Sequence, residues 1–363
     1  MKILIKKIFY QFIFFLLLIS VTEIFLGDWF KSDGFGSTIR NGRLKNQIYE
    51  VEYGGKIYEF FYKKNFYGFR GDDIDPKKIK NFFIGASQGA EKFKPEEFTI
   101  IGRLNSYLEQ ENLKNKKIYN ASQDGFSTFG ILNYLSKFYP KIKNFNPEKL
   151  ILYIGVNDGE LCNNFISSKS EDEFQSHLVW DTMIEKNKIK LIKDYLKNTS
   201  FFLTKLKMIQ LKYFSRKKQK IQTSANTENF INLQANTKYI NYFNAKNFHS
   251  KKKLENKFAP CKKRLIKNLT QIIDFSKKHK IEILLINNIN YKGVNDDWLY
   301  YTNSIISDFA EKYSLSFIDL SKIRNIGDSD FYDDQHTTIK GSEKIAKFIY
   351  PEVRKFLITN NNN

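Results

Sequence analysis

Asn81-Phe82-Phe83-Ile84-Gly85-Ala86-Ser87-Gln88-Gly89 is the stretch on which the reading of this chain turns. A short apolar run closed by glycine reads as a buried strand from its length and flanks. The serine that follows stands between glycines on a tight strand-to-helix turn. Such a turn exposes the hydroxyl and keeps backbone N–H groups close to it. Outward from here strands and helices alternate. Phe98 to Leu113 has helical periodicity, Ile118-Tyr119-Asn120 is a second short strand, and Thr128 to Tyr139 is a helix stopped by Pro140. Lys149 to Ile154 is a third strand running into Gly155, Ile281 to Asn287 a fourth and Leu315 to Asp319 a fifth. Helices are expected over Asp296–Tyr313 and Ile339–Leu357. This alternation implies an α/β fold, a parallel sheet with helices on both faces. No internal repeat is visible, and the tail Asn360–Asn363 is expected to fray.

Four stretches at strand ends can carry chemistry, because an open parallel sheet builds its sites there. Gly85-Ala86-Ser87-Gln88-Gly89 offers a hydroxyl. Asn120-Ala-Ser-Gln-Asp-Gly125 ends in a glycine whose N–H a ligand can approach closely. Gly155-Val156-Asn157-Asp158-Gly159 offers a side-chain amide donor. Asp333-Asp334-Gln335-His336 sets a carboxylate three residues before a histidine, ahead of Gly341 and the last helix. Each alone is a common accident. Their joint order and placement are much less so.

Together these blocks resemble the SGNH (GDSL-type) hydrolase superfamily, in which Ser, Gly, Asn and His fall on four blocks in that order. The resemblance runs over residues 75 to 350 with a gap in the middle. Asn65-Phe-Tyr-Gly-Phe-Arg70 also looks like the lead-in of anchored bacterial members. The resemblance implies a three-layer α/β/α sandwich with a parallel five-stranded sheet. It implies Ser87 as nucleophile, with His336 as base and Asp333 as its acid partner. The oxyanion hole would be Ser87, Gly125 and Asn157. Such a triad cleaves esters: the histidine takes the serine proton, and the aspartate holds the imidazole tautomer. Asp158 is expected to brace its turn, and His177, His249 and His279 to lie at the surface. No metal, nucleotide or other cofactor is called for.

The sequence departs from the family at Ala86, where the first block usually has aspartate. That residue is neither nucleophile nor base, but it is expected to brace the loop. Ser122 stands where a second glycine is common. Gly85-x-Ser87-x-Gly89 also fits the nucleophile elbow of α/β-hydrolases. That fold places acid and histidine on separate loops and has no counterpart of the Asn157 block.

The N-terminus sets the compartment. Lys2, Lys6 and Lys7 precede the apolar run Ile8–Val21, which resumes at Ile24-Phe25-Leu26. The length suffices to cross about 30 Å of hydrocarbon, and no small-x-small cleavage site stands out. An uncleaved anchor and a cleaved signal are both compatible, the anchor better. Lysines ahead of the run keep the N-terminus cytoplasmic and export the body. The division expected is 1–27 anchor, 28–74 lead-in, and 75–357 hydrolase-like domain with an insertion at about 163–258. The lead-in, polar and turn-rich, reads as a connector.

The insertion holds Glu171, Asp172 and Glu173. A basic-amphipathic stretch follows, with Phe201, Leu206, Ile209 and Phe214 among Lys205, Lys207, Lys212 and Arg216. It reads as a helical lid or side layer with a solvated basic face, or as a surface for a membrane or an anionic glycan.

The 363 residues are 42% hydrophobic and 16% aromatic, which excludes wholesale disorder. A net charge of +20 would suit nucleic acid, but an exported body removes that partner. A bias toward Lys, Asn, Ile and Phe accounts for the charge equally well. Two cysteines, Cys162 and Cys261, exclude a disulfide scaffold and a cysteine zinc cluster, and leave pairing between them open. The function expected is a membrane-anchored, periplasmic serine esterase or deacetylase acting on an acyl ester of an envelope glycan or lipid. An acyltransferase using the same triad and a non-catalytic glycan-binding protein are the alternatives.

Overall fold

The computed structural model of the protein describes residues 2–27, 29, 47–65, 67–158, eleven positions scattered between 189 and 218, 251–291 and 297–359. Helix α1 (Lys2–Leu26) is followed by strands β1 (Gln47–Tyr53) and β2 (Lys56–Tyr62). Then come β3 (Asn81–Gly85), α2 (Ser87–Ala90), α3 (Ile100–Gln110), β4 (Ile118–Asn120), α4 (Thr128–Lys137) and β5 (Lys149–Ile154). After the two-residue strand β6 (Lys217–Lys218) come α5 (Lys251–His279), β7 (Glu282–Asn287), α6 (Asp297–Lys312), β8 (Ser316–Ile318) and α7 (Ile339–Ile358).

The five strands expected from their apolar runs form one parallel sheet in the order β4-β3-β5-β7-β8. Successive side chains of a strand point to opposite faces. Phe82, Ile84, Leu150, Leu152, Ile283 and Leu285 therefore enter one core, with α4, α5 and α6. Phe83, Ile151, Tyr153, Leu284 and Ile286 enter the other, with α3 and α7. Both faces are covered, which makes the three-layer sandwich. Side-chain caps start the helices where the sequence supplies them. Thr99 accepts from Gly102 N at 2.9 Å and Thr338 from Gly341 N at 3.2 Å. The chain moves from β3 outward to β4, then crosses back to β5 on the other side. Ligand crevices of open parallel sheets form at such a reversal.

The segment read as a connector contains a structured element. Residues 47–62 form an antiparallel hairpin paired from Gln47↔Tyr62 to Tyr53↔Lys56. Gly54 and Gly55 turn it with φ of +57° and +79°, the double left-handed geometry that matches strand twist in a two-residue turn. Tyrosines and phenylalanines outnumber Ile48, Val51 and Ile57, and Glu50, Glu52 and Glu59 fall among them, so the hairpin lacks the continuous apolar runs that marked β3 and β5. Lys217 and Lys218 pair with Tyr49 and Glu50 along the free edge of β1. Most of the insertion lies outside the described residues. Its expected end falls inside α5, where Leu254 and Phe258 are already in the core.

Helix α1 from Ile5 to Leu26 has a mean hydropathy of 2.1, and none of it is buried in the protein. It is long and apolar enough to cross a membrane or to serve as a signal sequence.

Candidate active site

Ser87 opens α2 directly after the C-terminal edge of β3. Gly89 lets this short helix sit close to the sheet. A Cβ there would come within 2.7 Å of Phe83 Cε1 and 2.8 Å of Ser122 Oγ. Ala86 precedes the helix and supplies no side-chain cap. Ser122 works from the neighbouring loop, its Oγ accepting from Gly85 N at 2.9 Å. Gln123 N donates to Gly85 O at 3.1 Å, and Asn120 Nδ2 to Gly89 O at 2.8 Å. Ser122 thus ties the Asn120–Gly125 loop to the turn that carries Ser87.

His336 Nε2 lies 2.7 Å from Ser87 Oγ. On the other side of the ring, Nδ1 lies 2.7 Å from Asp333 Oδ2 and 2.9 Å from Oδ1. A carboxylate against Nδ1 assigns the proton there and leaves Nε2 as the acceptor facing the hydroxyl. Asp333 also shapes its own turn, since Oδ1 accepts from Gln335 N at 2.9 Å and His336 N at 2.7 Å. Burial pushes the Asp333 carboxyl up. Hydrogen bonds from His336 and from the two backbone N–H groups outweigh it and hold the group below the usual carboxylate range. Tyr332 stacks on the imidazole with centroids 5.6 Å apart and planes 12° apart. Tyr53 of the hairpin meets Tyr332 edge-on at 6.3 Å, so the element read as a connector backs the histidine.

Gly125 has φ +81°, and no atom lies within 4 Å of where a Cβ would stand. Asn157 is buried and its Nδ2 donates to Phe126 O at 2.9 Å, which sets its amide beside the Gly125 loop with one N–H to spare. Among the described residues, the N–H groups of Ser87 and Gly125 have no hydrogen-bond acceptor, and no hydrogen bond joins Gly125 or Asn157 to Ser87 directly. Asp158 braces α4, as expected of a turn residue. Its carboxylate accepts from Thr128 N at 3.0 Å and Thr128 Oγ1 at 2.6 Å. Burial pushes it up to about 6, against the pull of those bonds.

Sequence reasoning missed the frame behind the triad. Lys94 and Glu91 form an ion pair at 2.6 Å with both side chains 2% exposed. Lys94 Nζ also donates to Thr337 Oγ1 at 2.9 Å and to Ser342 Oγ. Glu91 accepts from Ile100 N at the start of α3 and from Ser342 Oγ in α7. Burial lowers the Lys94 ammonium, and Glu91 opposes that shift. Arg70 completes the frame, donating to Ala90 O at 2.9 Å and Glu91 O at 3.0 Å, and also to Lys94 O. Asn65 and Gly68, φ +86°, make the tight turn that delivers Arg70. The network spans from the Ser87 turn to Thr337, the residue after His336. The sequence signal was faint: the Asn65–Arg70 lead-in, and a Glu–Lys pair three residues apart.

His279 lies on α5 against Tyr139 and Phe275, with centroids 5.1 and 4.3 Å away, remote from the triad. His177 and His249 lie outside the described residues. Cys261 is disulfide-bonded, and Cys162 lies outside the described residues. Among the described residues no group of three or more His, Cys, Asp or Glu is placed to hold a metal ion.

No family model matches the chain, and no curated protein matches it. Solved structures do, and they are described as esterases, lipases and acylhydrolases. The structure of TesA is 11% identical with a TM-score of 0.42, covering 76% of this chain and 98% of its own. The lipase/acylhydrolase from Enterococcus faecalis is 13% identical with a TM-score of 0.40, covering 77% and 97%. The psychrotrophic esterase EstA from Pseudoalteromonas sp. is 14% identical with a TM-score of 0.38, covering 77% and 100%.

Proposed function

We propose that the protein is a serine ester hydrolase of the SGNH kind, anchored in a membrane by α1. The observation that carries this reading is the continuous chain Ser87 Oγ–His336 Nε2–His336 Nδ1–Asp333 Oδ2, with both links at 2.7 Å. Three side chains from two distant parts of the sequence meet in the order that nucleophilic catalysis needs.

In this mechanism Ser87 Oγ attacks the ester carbonyl carbon while His336 Nε2 takes the hydroxyl proton. The tetrahedral intermediate carries its negative charge on the former carbonyl oxygen. The N–H groups of Ser87 and Gly125 and the Asn157 amide are its donors. One such donor lowers the barrier by about 2.7–4 kcal/mol. The imidazolium then protonates the leaving alcohol, and the acyl group remains on Ser87. A water molecule deprotonated by the same nitrogen releases the acid. Asp333, ionised throughout, fixes the imidazole tautomer and stabilises its charged form.

The substrate class we favour is an acyl ester on an envelope carbohydrate or lipid. Lys2, Lys6 and Lys7, in the first turns of α1 ahead of its apolar run, support an N-terminus in the cytoplasm and a catalytic domain on the far side of the inner membrane, where such esters are found. The test is labelling of the full chain by a fluorophosphonate, together with turnover of p-nitrophenyl acetate. Labelling and turnover that vanish in Ser87→Ala support the reading. Neither signal above that control would overturn it.

A further inference from the structure

Two stretches of the described residues each expose several large apolar side chains close together in the sequence. The first is α1, of which none is buried. The second follows Ser200, where Phe202, Leu203, Leu206 and Ile209 are exposed. These four fall at helical spacing and so share a face.

Glu23 joins the two places. It lies in the last turn of α1, and its carboxylate accepts from Ser200 Oγ at 2.6 Å, Phe201 N at 2.9 Å and Phe202 N at 3.1 Å. The Trp29 indole donates to it at 3.0 Å. A carboxylate on the free N–H groups that open a helix is stabilised by hydrogen bonds and by the helix dipole. Ser200 adds its own cap, accepting from Leu203 N at 3.1 Å. The second apolar patch therefore starts where α1 ends.

We propose that the described residues of this stretch, Ser200 to Leu203, Lys205, Leu206 and Ile209, lie in the headgroup layer of the bilayer that α1 crosses, with the apolar side chains toward the acyl chains and Glu23 holding the segment at the exit of α1. The inference rests on α1 being an uncleaved span. Three observations select lipid as the occupant. Lipid is then already the solvent of α1, and Glu23 fixes the second patch beside that helix's end. Trp29, bonded to the same carboxylate, is a residue type that settles at the membrane boundary. Finally, Lys186 to Lys220 holds eleven lysines and one arginine against a single acidic residue, Asp194. Such a charge complements anionic headgroups. Lys205 is placed as a snorkelling lysine, its Nζ 5.5 Å from the Phe201 ring centroid and its side chain at the surface. A glycan partner would leave Leu206 and Ile209 against a polar surface.

The experiment uses the full chain in vesicles of phosphatidylcholine and phosphatidylglycerol. Nitroxide labels are attached at Leu206→Cys and, separately, at Phe12→Cys in α1, with the unsubstituted chain as the blank. Collision with oxygen is compared with collision with a water-soluble nickel chelate. The expected result is that both labels favour oxygen. In the Leu206→Cys chain, Glu23→Gln should shift the label toward the chelate. A label at 206 that meets the chelate freely, while the one at 12 stays with oxygen, overturns the inference and leaves the anchor intact. Chelate access at both positions overturns the anchor reading as well. A label at 206 unmoved by Glu23→Gln removes Glu23 as the tether and overturns that part.

Discussion

The two halves of the proposed triad are held in opposite ways. Ser87 stands on a turn fixed from outside itself. Arg70 binds its carbonyls, the Glu91–Lys94 pair ties it to α3 and α7, and Ser122 holds the strand end. The Asp333–His336 half folds much of its own turn, with fewer outside ties, from Gln88 Nε2 to Gln335 O at 2.8 Å and from Lys94 Nζ to Thr337 Oγ1 at 2.9 Å. Its carboxylate folds its own turn, and the two side chains are 45% and 26% exposed. A nucleophile needs one exact position in the sheet frame, whereas a general base must pass protons to groups that come and go. Substitutions on the first half should therefore reach stability, and those on the second should reach rate.

The largest effect separates the halves most sharply. Asp333→Asn keeps an oxygen for the Gln335 and His336 N–H groups, yet turns an amide donor toward Nδ1. The imidazole then adopts the wrong tautomer. Turnover should fall about ten-thousand-fold with the melting temperature unchanged. A matched loss of melting temperature would mean that this half is not locally held. Next in size is Lys94→Met, which leaves Glu91 buried without its partner. Removing one member of a buried pair costs about 3–5 kcal/mol, measured by denaturant unfolding. Pairing it with Glu91→Gln should recover part of that loss. Unchanged stability in the single variant would break the comparison from the other side.

The same contrast explains what could be read from the sequence. The five sheet strands were legible because β3, β5 and β7 are short apolar runs ended by polar or glycine positions, and a fully buried parallel strand needs that pattern. Ser87, His336 and Asp333 were legible because each sits at a strand end or before the last helix, and the resemblance supplied their order. The supporting frame was not legible. Lys94, Glu91 and Arg70 look like surface residues until their partners are known, because a charge is buried only when paired. The partners Thr337 and Ser342 lie more than 200 positions away in the chain. The hairpin was missed for another reason. Tyr49, Val51 and Tyr53 alternate with glutamates, and the segment holding the Gly54-Gly55 turn was read as a turn-rich connector.

Asn157→Ala tests a position between the two halves, since Asn157 is buried with the frame but is assigned a role in the reaction. Losing one oxyanion donor lowers turnover about 10²–10³-fold. KM for p-nitrophenyl acetate should change far less than kcat, because the donor acts on charge that develops only in the transition state. A loss confined to KM would remove Asn157 from the oxyanion hole.

The smallest effect comes from two carboxylates that differ in the same way as the halves. Asp333 is held below its ordinary range, so it contributes stability above the unfolded-state value and loses it as pH falls through the folded one. Asp158 is the reverse case. Burial lifts it to about 6 from 3.8, so between those values the folded chain holds a proton that the unfolded chain has released. Stability must then decline as pH rises through that window, and the penalty is complete above it. Asp158→Asn removes the titration and keeps an acceptor for Thr128. Its stability relative to the unsubstituted protein should improve by on the order of 1–2 kcal/mol between pH 4 and pH 7, read from urea unfolding at each pH. A constant offset across that range would show that the carboxyl is already ionised at pH 4. The brace on α4 would then be a charged contact like the one at Asp333, and the division between a buried frame and a titrating turn would hold only for the triad itself.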